Sequence, residues 1–89
     1  MRGTAIINGG SISTTQQLVP VVNRNGAQAL ATGMTIRNEG SGGALLVSLG
    51  GPFVSILANA ELVFDGHFTT YTIKAASGTV AWSAVLSVL

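Results

Sequence analysis

The sequence predicts an all-β fold: a small antiparallel β-sandwich or jelly-roll-like barrel of about seven or eight short strands. Three observations carry that expectation. Apolar residues recur with period two rather than 3.6, Gly and Asn clusters break the chain at short intervals, and Thr, Val and Ile abound. β-Branched side chains are stiff at χ1 and fit a pleated, half-buried surface. Gly and Asn tolerate the positive φ of tight turns, so their clustering has a physical cause.

The elements follow in order. A first strand is placed near residues 3–7, where Thr4-Ala5-Ile6-Ile7 runs up to the turn signal Asn8-Gly9-Gly10. A second, near 11–22, bends at Pro20 and stops at Asn23-Arg24-Asn25-Gly26. The stretch Gly26 to Thr32 is Ala-rich and is the helical competitor, although barely two turns long. Near 33–38, Met34 and Ile36 point inward between Thr35 and Arg37. The glycine-rich run Asn38-Glu39-Gly40-Ser41-Gly42-Gly43 then leads into a strand near 44–49, and Gly50-Gly51-Pro52 into another near 53–57. Near 60–65, Leu62 and Phe64 oppose Glu61, Val63 and Asp65, with Asp65-Gly66 as a hairpin turn. Near 68–75, Tyr71 and Ile73 oppose Thr70, Thr72 and Lys74, and Ser77-Gly78 closes the strand. The clearest alternation is the last, near 79–89: Val80, Trp82, Ala84, Leu86 and Val88 on one face, Ala81, Ser83, Val85, Ser87 and Leu89 on the other.

Composition bounds the function. The chain has 89 residues, 47% of them hydrophobic and only 8% charged, against about 25% charged in an average domain. That excludes disorder, which needs low hydrophobicity and high charge. A net charge of +1, with Arg2, Arg24, Arg37 and Lys74 as the cations, offers no basic patch for nucleic acid. With no cysteine, a disulfide framework and a Cys-ligated zinc site are impossible. No apolar run approaches the ~20 residues of a spanning helix, the N-terminal residues do not make a signal-peptide core, and there is no Asn-x-Ser/Thr sequon. One sandwich domain over residues 1–89 is expected, in a cytoplasm or a particle assembled there. Its Ser/Thr/Gln-containing segment Met1 to Gln17 reads as an arm that orders on docking.

Chemistry-bearing residues are few. Asp65-Gly66-His67 could hold a proton shuttle, because a carboxylate can orient an imidazole; the competing reading is a turn former beside a surface histidine. Glu61, Asp65 and His67 carry no metal-ligand spacing, so no metal or cofactor is expected. Ser41-Gly42-Gly43 lacks the Gly-Lys-Ser/Thr of a phosphate loop and precedes a strand, which makes it a hairpin loop. Trp82 and Tyr71 could stack on a sugar, but Trp82 shares a face with Val80 and Leu86 and reads as a core anchor. No catalytic constellation emerges, and the chain is not expected to be an enzyme.

Several strands are apolar on both faces, notably Ala44 to Leu49, Phe53 to Leu57 and Trp82 to Leu89. A domain this small cannot cover them all. Each large apolar side chain left wet forgoes about 1.5–3 kcal/mol, so several together drive association. A homo-oligomer, dimer or trimer, is expected over a monomer with apolar edges. The candidate contact residues are Leu46, Phe53, Val54, Ile56, Val85 and Leu89, with ordinary core as the alternative for each.

The C-terminal half, TIRNEGSGGALLVSLGG, ILANAELVFDG and TTYTIKAASGTVAWSAVL, resembles the small all-β virion proteins of tailed bacteriophages, including capsid decoration (cement) proteins. Tyr71, Ile73, Ala75, Gly78, Thr79 and Val80 stand where that pattern has its closing Tyr-x-Ile-x-Ala-x-x-Gly-Thr-Val hairpin. The resemblance covers roughly residues 33–89. It implies a structural protein of the virion, assembled in a bacterial host, with the major capsid protein as partner, no catalytic residues, and no nucleic-acid or membrane contact. A carbohydrate-binding module of a tail or fibre is the alternative, with Trp82, Tyr71 and the Asn-rich loops as its site.

Overall fold

The structure, a computed structural model, describes residues 4–89. Eight strands run β1 (Thr4–Ile12), β2 (Gln17–Pro20), β3 (Ala31–Asn38), β4 (Leu45–Ser48), β5 (Val54–Ile56), β6 (Glu61–Phe68), β7 (Thr70–Ala75) and β8 (Val80–Val88). They form two four-stranded sheets in the order β1-β8-β3-β6 and β2-β7-β4-β5, with every pairing antiparallel. The pairs β1–β8, β2–β7, β3–β6 and β4–β5 are those of one long hairpin folded at its middle. Rolling that hairpin up adds the pairs β3–β8 and β4–β7 and divides the strands between two sheets. This is a jelly roll, the sandwich the sequence predicts.

Alternation decides which side chains make the core. Every even residue from Val80 to Val88 is buried, as are Met34, Ile36, Tyr71, Ile73 and Ala75. Tyr71 sits at the centre, reaching from one sheet to the other. Its ring meets Trp82 and Phe68 edge-on, each at 6.3 Å between centroids. Its hydroxyl accepts a hydrogen bond from Asn8 Nδ2 at 2.8 Å, which ties β7 to β1 across the sandwich. Burial pushes the Tyr71 phenol up, and the Asn8 bond offsets part of that rise.

The connections differ from expectation in kind more than in place. Asn8-Gly9-Gly10 lies inside β1, opposite Ala84, Ser83 and Trp82, and is no turn. A Cβ on Gly9 would stand 3.1 Å from the Trp82 carbonyl oxygen, so the glycine serves a close approach of two strands. Asp65-Gly66 likewise lies inside β6. There the register against β3 shifts between Ala31 and Gly33, and Gly66, at φ 125°, absorbs the bulge. The Gly26 to Thr32 stretch forms no helix; Val22 bridges Gln28, and Ala31 already begins β3. The glycine-rich run 39–44 and the Ser77-Gly78 turn are not hairpins, because the strands they join lie in opposite sheets. Of the expected arm, Thr4 to Ile12 is a strand paired along its whole length with β8, and Ile12 is core; Met1 to Gly3 lie outside the described residues.

Candidate interaction surface

Each sheet has an outer face, and alternation fills it. On the β1-β8-β3-β6 sheet, cross-strand register places Ile7 opposite Val85, Val85 opposite Thr35 and Thr35 opposite Val63. These four side chains make one row straight across the sheet. Ile7 is 77% exposed, Val63 61% and Val85 48%. The rows on either side are Ala5, Ser87, Gly33 and Asp65 towards one end, and Gly9, Ser83, Arg37 and Glu61 towards the other, small on β1 and β8 and charged towards β6. The result is a flat face with an apolar bar through its middle.

Charge gathers at the margin of this face. Glu61 and Asp65 flank Val63 on the edge strand β6, with His67 beyond. Arg37 Nε pairs with Glu39 Oε1 at 2.8 Å, and Ser83 Oγ donates to Glu39 Oε2 at 3.0 Å. Glu39, Glu61 and Asp65 are the only acids in the chain, so all of its negative charge lies on this side. The opposite outer face carries Thr70, Thr72, Lys74 and Leu46. Lys74 Nζ stands 4.5 Å from the Phe53 ring centroid, a cation–π contact that covers part of that ring.

The six contact residues expected from sequence do not share one surface. Val85 and Leu89 project outward from the β8 side, while Leu46, on the other sheet, and Phe53, just before β5, are half-buried. Val54 sits at the β5 edge, 42% exposed, opposite the buried Val47. Ile56 is a correction: it is 3% exposed, pairs with the buried Leu45, and belongs to the core. Its strand looked apolar on both faces because one of those faces turns inward. Ile7 and Val63, exposed on the same row as Val85, are not among the six, although the sequence holds a signal for each. Val63 alternates with Leu62 and Phe64, and Ile7 follows Ile6, so each had to leave the core if its neighbour entered it.

The other chemical readings meet the geometry as follows. Asp65 and His67 are exposed neighbours on an edge strand, and among the described residues no group of three or more His, Asp or Glu comes together. Trp82 and Tyr71, the two aromatics of the sugar-stacking reading, are 8% and 1% exposed and present no ring to solvent. The loop from Ser41 to Gly43 is shaped by Asn38, which reaches Gly43 O and receives Gly40 N, and it leads into a strand. A shallow depression of about 260 Å³ lies at one end of the sandwich, lined by Asn23, Arg24, Asn25, Val88 and Leu89. Among the described residues no helix is long and apolar enough to cross a membrane.

No family model and no curated protein matches the chain. Among solved structures it is similar to an HTH_3 family transcriptional regulator from Vibrio cholerae, with a TM-score of 0.64 at 12% identity. The likeness covers 93% of this chain but 42% of that protein, so the chain spans less than half of the length of the structure it matches. At that identity it shows the fold alone. It also corrects the resemblance to phage virion proteins: the structure matched is that of a regulator, and the residues that suggested the resemblance are core and turn positions of this fold. Tyr71, Ile73, Ala75 and Val80 are core positions on two facing strands, and Gly78 holds φ 62° in the connection between them. The motif read as a closing hairpin is therefore a crossing from one sheet to the other.

Proposed function

We propose that this protein is a non-catalytic structural domain that works through protein–protein contact, first with copies of itself. The observation that supports this reading is the row of exposed apolar residues Ile7, Val85 and Val63 on the outer face of one sheet, flanked by small residues on β1 and β8. Scattered exposed apolar residues are ordinary on a protein surface; three of them aligned in one row, with Thr35 between Val85 and Val63, are the pattern of an interaction site.

The partner beyond itself is a larger protein assembly. Jelly rolls serve capsids, lectins and cupins alike, so fold supports no particular one of these assemblies. The likeness to the Vibrio cholerae regulator, at 12% identity, carries the fold and no role in gene regulation. Sedimentation velocity of the purified chain across a hundredfold range of concentration tests the reading. It predicts a discrete oligomer; a monomer at every concentration overturns it.

A further inference from the structure

We infer that the outer face of the β1-β8-β3-β6 sheet is a homotypic interface, on which a second copy of the chain packs face to face about a twofold axis parallel to the strands. The inference rests on the self-association proposed above and adds the surface and the symmetry. The occupant follows from the way the face matches itself. A twofold axis along the strands reverses strand order, so β1 lies over the partner's β6 and β8 over the partner's β3. The bar then falls on the bar: Ile7 of each copy meets Val63 of the other, and Val85 meets Thr35.

The flanking rows complement each other in size, and every charged side chain on them faces a small uncharged residue. Asp65 and Glu61, beside Val63 on the edge strand, come over Ala5 and Gly9 of the other copy, which have little or no side chain and leave both carboxylates at the wet margin. Arg37 comes over Ser83. The alternative twofold axis, perpendicular to the strands, lays β6 on β6 and sets Asp65 against the second copy's Glu61. Like charges directly opposed are unfavourable, so the first arrangement is preferred. Five small residues beside the bar, Ala5, Gly9, Gly33, Ser83 and Ser87, each opposed to a longer or equally small side chain, let two twisted sheets approach at the usual spacing of about 10 Å and angle of about 30°.

The area is sufficient. Four strands at ~4.8 Å spacing and eight residues at ~3.3 Å rise give a footprint of roughly 19 by 26 Å. Two such faces remove about 1,000 Å² in total, the size at which a specific interface begins.

Two experiments test it on the full chain. In the first, sedimentation compares wild type with Val85→Glu and with Leu46→Glu, the latter on the opposite sheet. Placing a charge in the middle of the bar is expected to weaken dimerisation more than about 100-fold, while Leu46→Glu leaves it unchanged. Val85 is exposed in the single chain, so its variant keeps the fold, which circular dichroism verifies. In the second, Ile7→Cys and Val63→Cys chains of different length are mixed with a short bis-maleimide, in a protein that has no other cysteine. The expected product is a dimer of one chain of each kind, because like positions lie on opposite edges of the face. A dimer that survives Val85→Glu, or crosslinks only between like variants, overturns this interface and leaves self-association standing. A wild-type trimer overturns the twofold symmetry. A wild-type monomer overturns both readings together.

Discussion

Asn38 is fully buried at the end of β3, and each of its polar atoms is engaged. Its Nδ2 donates to Gly43 O and to Ile56 O, both at 3.0 Å, and its Oδ1 accepts from Gly40 N at 2.9 Å. Its backbone N–H donates to Ala60 O and its carbonyl accepts from Asn59 N. One side chain thus fastens the β3–β4 connection to β5 and the turn that follows it. Asn38→Ala removes three hydrogen bonds and strands two carbonyls and an N–H, and should cost about 2–4 kcal/mol in urea denaturation. Asn38→Asp should be worse, because an acceptor would then face two carbonyl oxygens. An Asp variant as stable as wild type would show that the side chain does not point where the structure places it. In the sequence Asn38 reads only as the first residue of a turn, since nothing local reveals that Ile56 comes back to it.

Tyr71 carries the second prediction at this scale. Burial raises its pKa and the bond from Asn8 lowers it by less, so the folded state favours the neutral phenol. That stabilisation is complete below the unfolded pKa, about 10, and is lost as pH rises through the higher folded value. The chain has one tyrosine, so phenolate absorbance reports it alone. Its titration should lie at higher pH in the native protein than in urea, and the free energy of unfolding should fall above about pH 10. Tyr71→Phe should abolish that tyrosine-linked part of the fall and leave Asn8 without its acceptor, at about 0.5–1.5 kcal/mol.

At the scale of elements, the adjacent glycines of the β3–β4 connection should behave oppositely. A Cβ on Gly43 would stand 3.1 Å from Ser77 Oγ and 3.2 Å from its carbonyl oxygen, whereas one on Gly42 meets nothing within 4 Å. Gly42→Ala should therefore be neutral or stabilise by up to ~1 kcal/mol through the unfolded chain. Gly43→Ala should destabilise, because backbone cannot yield as a flexible side chain can. Thermal melts of the pair decide it; equal melting temperatures would mean that the loop does not pack on Ser77. The same loop shows where legibility stops. Period two located the β3, β6, β7 and β8 strands and the inward residues Met34, Ile36, Tyr71, Ile73, Val80, Trp82 and Leu86, because side-chain direction is local; β4 showed only as an apolar run between glycine-rich turns. Which strands pair is not local. Neighbours in sequence looked like hairpins, yet β3 and β4, β6 and β7, and β7 and β8 separate into opposite sheets. The contact surface was partly legible for the same reason: Val85 could be found on its own strand, but its union with Ile7 and Val63 depends on pairings from both ends of the chain.

For the whole molecule, the governing fact is that 89 residues support one thin core. A domain of this size buries only about 60–65% of its unfolded surface and is marginal alone. Covering the Ile7–Val85–Thr35–Val63 bar adds burial that one chain cannot supply, so folding and association should be coupled. Coupling has a thermal signature: for a dimer that unfolds to separate chains, tenfold more protein stabilises each chain by about 0.7 kcal/mol. In a domain of this length that raises the melting temperature by about 3–5 °C. Differential scanning calorimetry at several concentrations should show this slope for wild type and Leu46→Glu. Val85→Glu, with its bar broken by a charge, should melt at one temperature throughout the range. A wild-type melting temperature independent of concentration would mean that the single jelly roll is stable on its own, with the exposed bar free for a different protein.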